Sequence, residues 1–125
     1  MKRLITEALG RYGAYREAAR LAADWLEREN DADMRLYLTL ARTRAEAVEI
    51  WLSPLGGDER EAVRQCLMER AREPDATALT ALGKICAMAE PHAKMLSILF
   101  ADIASPPDKP SKRMAGGGNL NANRD

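Results

Sequence analysis

From Leu4 to Ile103 apolar side chains return every three or four positions, the spacing that lays them along one side of a helix. Leu4, Ile5, Ala8 and Leu9 form the stripe of a short first helix that stops near Gly10 and Gly13. A second helix, about 14–30, sets Ala18, Leu21, Ala22, Trp25 and Leu26 on one face. Its outward face carries Arg16, Glu17, Arg20, Asp24, Glu27 and Arg28. Asp31 or Asp33 can cap a third helix, about 32–42, whose Met34, Leu36, Tyr37, Leu38, Leu40 and Ala41 cover more than one face. That spread predicts the most enclosed helix of the protein. Thr43-Arg44-Ala45-Glu46 has the form of a capping box and predicts a fourth helix with Ala47, Val48, Trp51 and Leu52, ended by Pro54 and Gly56-Gly57.

Asp58 and Glu61 repeat the capping logic for a fifth helix with Ala62, Val63, Cys66, Leu67 and Ala71. Pro74 suits the first turn of a sixth, 74–89, with Leu79, Leu82, Ile85, Cys86 and Ala89. Gly83 inside it costs ~1 kcal/mol against Ala and is expected to mark a close helix approach. Pro91 opens a seventh, 91–104, with Met95, Leu96, Leu99, Phe100 and Ile103 predicted to be buried. Beyond Ser105 the periodicity ends. Three Pro, three Gly and three Asn in 21 residues, with Met114 and Leu120 alone as large apolar side chains, cannot offset ordering entropy. The expected organisation is a helical domain, 1–104, and a disordered tail, 105–125.

Composition agrees with helices. Ala (22) and Leu (15) far outnumber Val (2) and Ile (5), which excludes an all-β fold and predicts an all-α one. Nineteen basic residues balance nineteen acidic ones, which argues against a strongly basic nucleic-acid binder. The tail's Lys109, Lys112, Arg113 and Arg124 against Asp108 and Asp125 read as a solubility feature. Met1-Lys2-Arg3-Leu4-Ile5 leads into Thr6 and Glu7 without the apolar run of a signal peptide, and no stretch has the ~20 apolar residues of a membrane span. A soluble cytoplasmic protein without membrane insertion is expected.

The inventory for chemistry is thin. Cys66 and Cys86 lie singly inside helical patterns and read as reduced core thiols, and His92 reads as a surface or capping residue without ligand-type spacing to either. Gly116-Gly117-Gly118 has no following Lys-Ser/Thr pair or apolar helix and so is no phosphate loop. No catalytic residues, metal or cofactor are expected; the protein reads as non-enzymatic.

Short helices joined by short turns predict six to seven helices stacked as antiparallel pairs: two with three, four with five, six with seven. Arg16-Glu17-Ala18-Ala19-Arg20 is echoed by Arg60-Glu61-Ala62-Val63-Arg64, and Ala45-Glu46-Ala47-Val48 resembles both. Helix-pair units of about 34 residues that must stack to bury their faces are the tetratricopeptide arrangement; the alternative is an ordinary bundle whose Ala-rich helices resemble each other by composition alone.

Tyr15-Arg16-Glu17-Ala18-Ala19-Arg20-Leu21-Ala22-Ala23-Asp24-Trp25-Leu26-Glu27-Arg28, the Leu-rich 36–40, the restart at Ala45-Glu46-Ala47-Val48 and the break at Arg72-Glu73-Pro74-Asp75 together resemble one family over roughly residues 4–88. It is the tetratricopeptide-like chaperones that hold the needle subunit of type III secretion systems. The stretch between the tryptophans is shorter here, and helix seven and the tail have no counterpart. The resemblance implies a curved helical array whose apolar concave face receives an amphipathic helix of the needle subunit, with a small helical co-chaperone and no nucleotide or metal.

In stacked pairs the first helix of each pair lines the concave side, so Trp25, Trp51, Leu79 and Leu82 are the candidate anchors. Trp25, between close-packing Ala turns, is expected to be core. Trp51, one turn before Pro54-Leu55-Gly56-Gly57, is expected to be open to the partner with Leu55 beside it. The same pattern also fits a structural or assembly subunit of a phage or secretion complex. A small helix-turn-helix regulator fits less well, because Ala81-Leu82-Gly83-Lys84-Ile85 and Pro91-His92-Ala93-Lys94 offer no Arg, Asn or Gln to read bases.

Overall fold

A computed structural model describes residues 1–104; the predicted disordered tail lies outside the described residues. The fold is all-α. Seven α-helices follow in order: α1 (Lys2–Gly10), α2 (Tyr12–Leu26), α3 (Ala32–Leu52), α4 (Gly57–Val63), α5 (Ala76–Ala89), α6 (Ala93–Leu99) and α7 (Ala101–Ala104). A π-helical turn, Arg64–Met68, continues α4, and a 3-10 turn, Glu90–His92, joins α5 to α6.

The main departure from expectation is α3. Helix three and helix four are one 21-residue helix. Thr43 is no cap: its hydroxyl donates to the Thr39 carbonyl at 2.8 Å, the back-bond of a mid-helix threonine. No Gly or Pro interrupts 32–52, so nothing in the backbone requires a break. The true start is at Asp31, whose carboxylate accepts from the Met34 amide at 3.0 Å. At the far end Ser53 Oγ and the Arg60 guanidinium donate to the Ile50 and Leu55 carbonyls, both at 2.8 Å.

Other boundaries move for local reasons. Gly13 lies within α2, and α2 ends at Leu26. The fifth helix stops at Met68, short of Ala71, because the chain reverses at Arg70 in the left-handed region (φ 54°). Asp75, not Pro74, starts α5, accepting from the Ala78 amide at 2.8 Å. The predicted seventh helix is broken at His92 and again at Phe100, whose φ of −110° and ψ of 45° leave the helical region. Pairing shifts accordingly: α2 packs antiparallel on α3, but it is α4 that packs on α5.

The core gathers around α1, which lies against α5, the π turn and α7. Ile5, Leu9, Val48, Val63, Ile85, Phe100 and Ile103 are fully buried. Phe100 fills the centre, its ring 5.8 Å from Trp51 and 5.9 Å from Tyr15. Arg44 binds this centre to α3: Nε donates to the Leu99 carbonyl at 2.9 Å, and the guanidinium lies over the Phe100 and Tyr15 rings. Asp102 receives both Arg44 (3.3 Å) and Arg11 (3.0 Å), fixing α7 at the base of the α2–α3 hairpin.

Candidate protein-binding surface

Beyond that base the hairpin overruns the core. The C-terminal half of α3 contributes Ala45, Val48 and Trp51 to the core cluster, whereas its N-terminal half contributes nothing. From Ala18 to Ala41, only Ala22 and Ala41 are fully buried, an alanine seam between two closely packed helices. The helix expected to be most enclosed is the most exposed: Leu36 is 71% accessible, and Tyr37 and Leu40 are also exposed.

The two sides of this arm differ chemically. One groove between α2 and α3 is charged, lined by Arg16, Arg20, Arg42, Glu46 and Glu49. The opposite groove is apolar, lined by Leu21, Trp25, Met34 and Tyr37 with Asp24 and Arg28 at its rim.

A second surface runs down the outside of α3. Leu36, Leu40, Thr43, Ala47 and Ile50 recur at alternating spacings of four and three, which on one continuous helix is a single seam of two heptads. All but Ala47 are exposed. At Ala47 and Ile50 the seam enters a groove whose other wall is Met88, His92, Met95 and Leu96, with the Trp51 edge in its floor. Ile98, 71% accessible, extends this wall along α6 beside Met95. Two thioethers give the wall adaptable apolar contacts.

The sequence-predicted anchors divide unexpectedly. Trp51 (4% accessible), Leu55 and Leu82 are core, whereas Trp25 (41%) and Leu79 are exposed. The expectation of a core Trp25 and an open Trp51 is therefore reversed. Trp51 points at the side of α3 covered by Phe100, and Trp25 lies on the part of α2 that projects past it. Met95, expected in the core, is exposed, and Cys86 is only half-buried where Cys66 is buried. Gly83 has open space where a Cβ would stand, so it marks no helix contact. Leu36, Ile50, Met95 and Ile98 are absent from the anchors that the sequence predicts. Their signal is the heptad seam, legible only when 32–52 is read as one helix; the misread cap at Thr43 cut it in two.

Titratable chemistry at these surfaces is sparse. Burial pushes the Cys86 thiol up, away from the reactive thiolate. His92 is exposed on its turn. Among the described residues no three His, Cys, Asp or Glu side chains converge, and no helix is long and apolar enough to cross a membrane. No protein-family model, curated protein or solved structure matches the chain.

Proposed function

We propose that the protein is a non-enzymatic adapter or chaperone of the cytoplasm that holds an amphipathic helix of a protein partner along the outer seam of α3. The observation that carries this reading is the exposed two-heptad seam Leu36, Leu40, Thr43, Ala47 and Ile50, which runs into the Met88–Met95 groove. A partner helix with apolar residues at i, i+3, i+4 and i+7 matches that spacing, and the groove accepts its largest side chain. The sequence resemblance names a type III secretion needle subunit as the client, held with a small co-chaperone. That client is a short, helical, self-polymerising chain, and masking its apolar stripe keeps it monomeric.

The test is co-expression with a needle subunit, followed by measurement of its soluble, monomeric fraction. The reading expects retention by the wild type and loss with Ile50→Asp or Ile98→Asp at unchanged melting temperature. If neither a needle subunit nor any amphipathic peptide of a designed heptad panel binds in a seam-dependent way, the reading is wrong. A second reading, a subunit of a multi-copy assembly, is favoured by the bare apolar side of the arm.

A further inference from the structure

The arm formed by Ala18–Leu26 of α2 and Ala32–Ala41 of α3 leaves an apolar side uncovered. Only Ala22 and Ala41 are buried between these two helices, while Leu21, Trp25 and Tyr37 stand in water on one side and Leu36 and Leu40 on the adjoining side of α3. We infer that the uncovered side pairs with the same side of a second copy, so that two arms close into a four-helix bundle.

Three observations point to a second copy. The first is area. At roughly 100 Å² apiece, about half of what a large side chain can bury, the five residues expose on the order of 500 Å² per copy. With the flanking Ala18, Met34 and the Arg28 stem, two copies reach the ~1,200 Å² at which stable interfaces begin. The second is charge. The rim holds one residue of each sign, Asp24 and Arg28, one turn apart on the same edge of α2. An isologous contact needs a self-complementary patch. Antiparallel α2 helices crossing about a two-fold axis between these residues set each Arg28 against the other copy's Asp24, with the two Trp25 indoles near the axis. Among the described residues Arg28 makes no ion pair, while Asp24 has only the exposed Arg20 at 3.2 Å. The third is the whole-chain charge of zero, which lets identical copies approach without mutual repulsion. The charged groove of each arm, with Arg16, Arg42 and Glu49, then faces water outside the bundle.

Sedimentation equilibrium of the full chain over micromolar to submillimolar concentration tests this. The expected result is a mass rising from 13.8 kDa to twice that value. Trp25→Ser and Tyr37→Ser should each weaken association at least tenfold with unchanged helicity. Asp24→Arg or Arg28→Asp alone should weaken it, and the two together should restore it. Trp25 fluorescence in a Trp51→Phe background should shift to shorter wavelength on association. A constant monomer mass overturns the proposal, as does association indifferent to Trp25→Ser and Tyr37→Ser. Failure of the double charge exchange to restore pairing overturns the antiparallel register. Leu36 and Leu40 border both this interface and the outer seam of α3, so the two readings are separated by residues outside the overlap: Trp25→Ser and Tyr37→Ser report on self-association, Ile50→Asp and Ile98→Asp on partner capture.

Discussion

Two tryptophans of similar sequence setting have opposite surroundings, and substitution separates them. Trp51 packs on Phe100 inside the core, so Trp51→Ala should cost ~3–5 kcal/mol, a large part of the ~5–15 kcal/mol that keeps such a domain folded. Trp25→Ala should leave the midpoint of a dilute denaturant titration within ~1 kcal/mol of wild type. Tyr15 poses the opposite question. Its hydroxyl is buried without a hydrogen-bond partner among the described residues, and burial raises its pKa above 10.0. Tyr15→Phe removes that unsatisfied group and keeps the ring on Phe100, so its melting temperature at neutral pH should equal or exceed wild type. The pH dependence has a definite sign. Below pH 10 the phenol is neutral in both states; above it the unfolded phenol ionises first, so stability falls as pH climbs toward the folded value. Tyr12, raised by burial and by Glu49, adds a loss of the same sign. Alkaline melting curves of Tyr15→Phe should therefore decline less steeply than those of wild type.

At the level of elements, α3 decides the architecture. If Thr43 were an N-cap, Thr43→Ala would destabilise by ~1 kcal/mol. As an exposed mid-helix residue bonded back to Thr39, its replacement by Ala should instead stabilise by a few tenths of a kcal/mol. Gly83 sits exposed in α5 with open space at its Cβ, so Gly83→Ala should stabilise by ~0.5–1 kcal/mol, read as a rise in melting temperature. Sequence reasoning narrowed the cap to Asp31 or Asp33, of which the structure uses Asp31, and located the stop after Leu52 and most of the apolar stripe of α5. Those features rest on interactions within a few residues. It failed at Thr43 because a Thr-x-x-Glu pattern serves equally as a cap or as an ordinary turn of a solvated helix, and the neighbouring turns decide between them.

The whole molecule is a core with a bare arm. Burial falls from α1, α5 and the C-terminal half of α3 toward the tip at Glu27–Asp31, and within the arm only Ala22 and Ala41 are buried. Amide exchange should follow that gradient. Amides of Leu9, Val48 and Ile85 should exchange slowest, and those of Leu21, Trp25 and Leu36 much faster in dilute solution. Protection of the arm alone should rise with protein concentration if two arms pair.

Helical periodicity, alanine and leucine content and the scarcity of Val and Ile determined an all-α chain before any contact was known, because helix formation is governed by neighbours three and four positions away. Those same patterns mark which side of a helix is apolar. They do not state whether another element reaches it. Leu36, Tyr37 and Leu40 have the sequence character of core residues, as Val48 and Trp51 do, and only the position of α1, α6 and α7 distinguishes them. Phe100 and Arg44 stop the core one turn short of Leu40, so one long helix supplies both a buried centre and an open surface. Which apolar side chains fold this protein and which remain for a partner was decided by where its short helices ended, a property of tertiary packing.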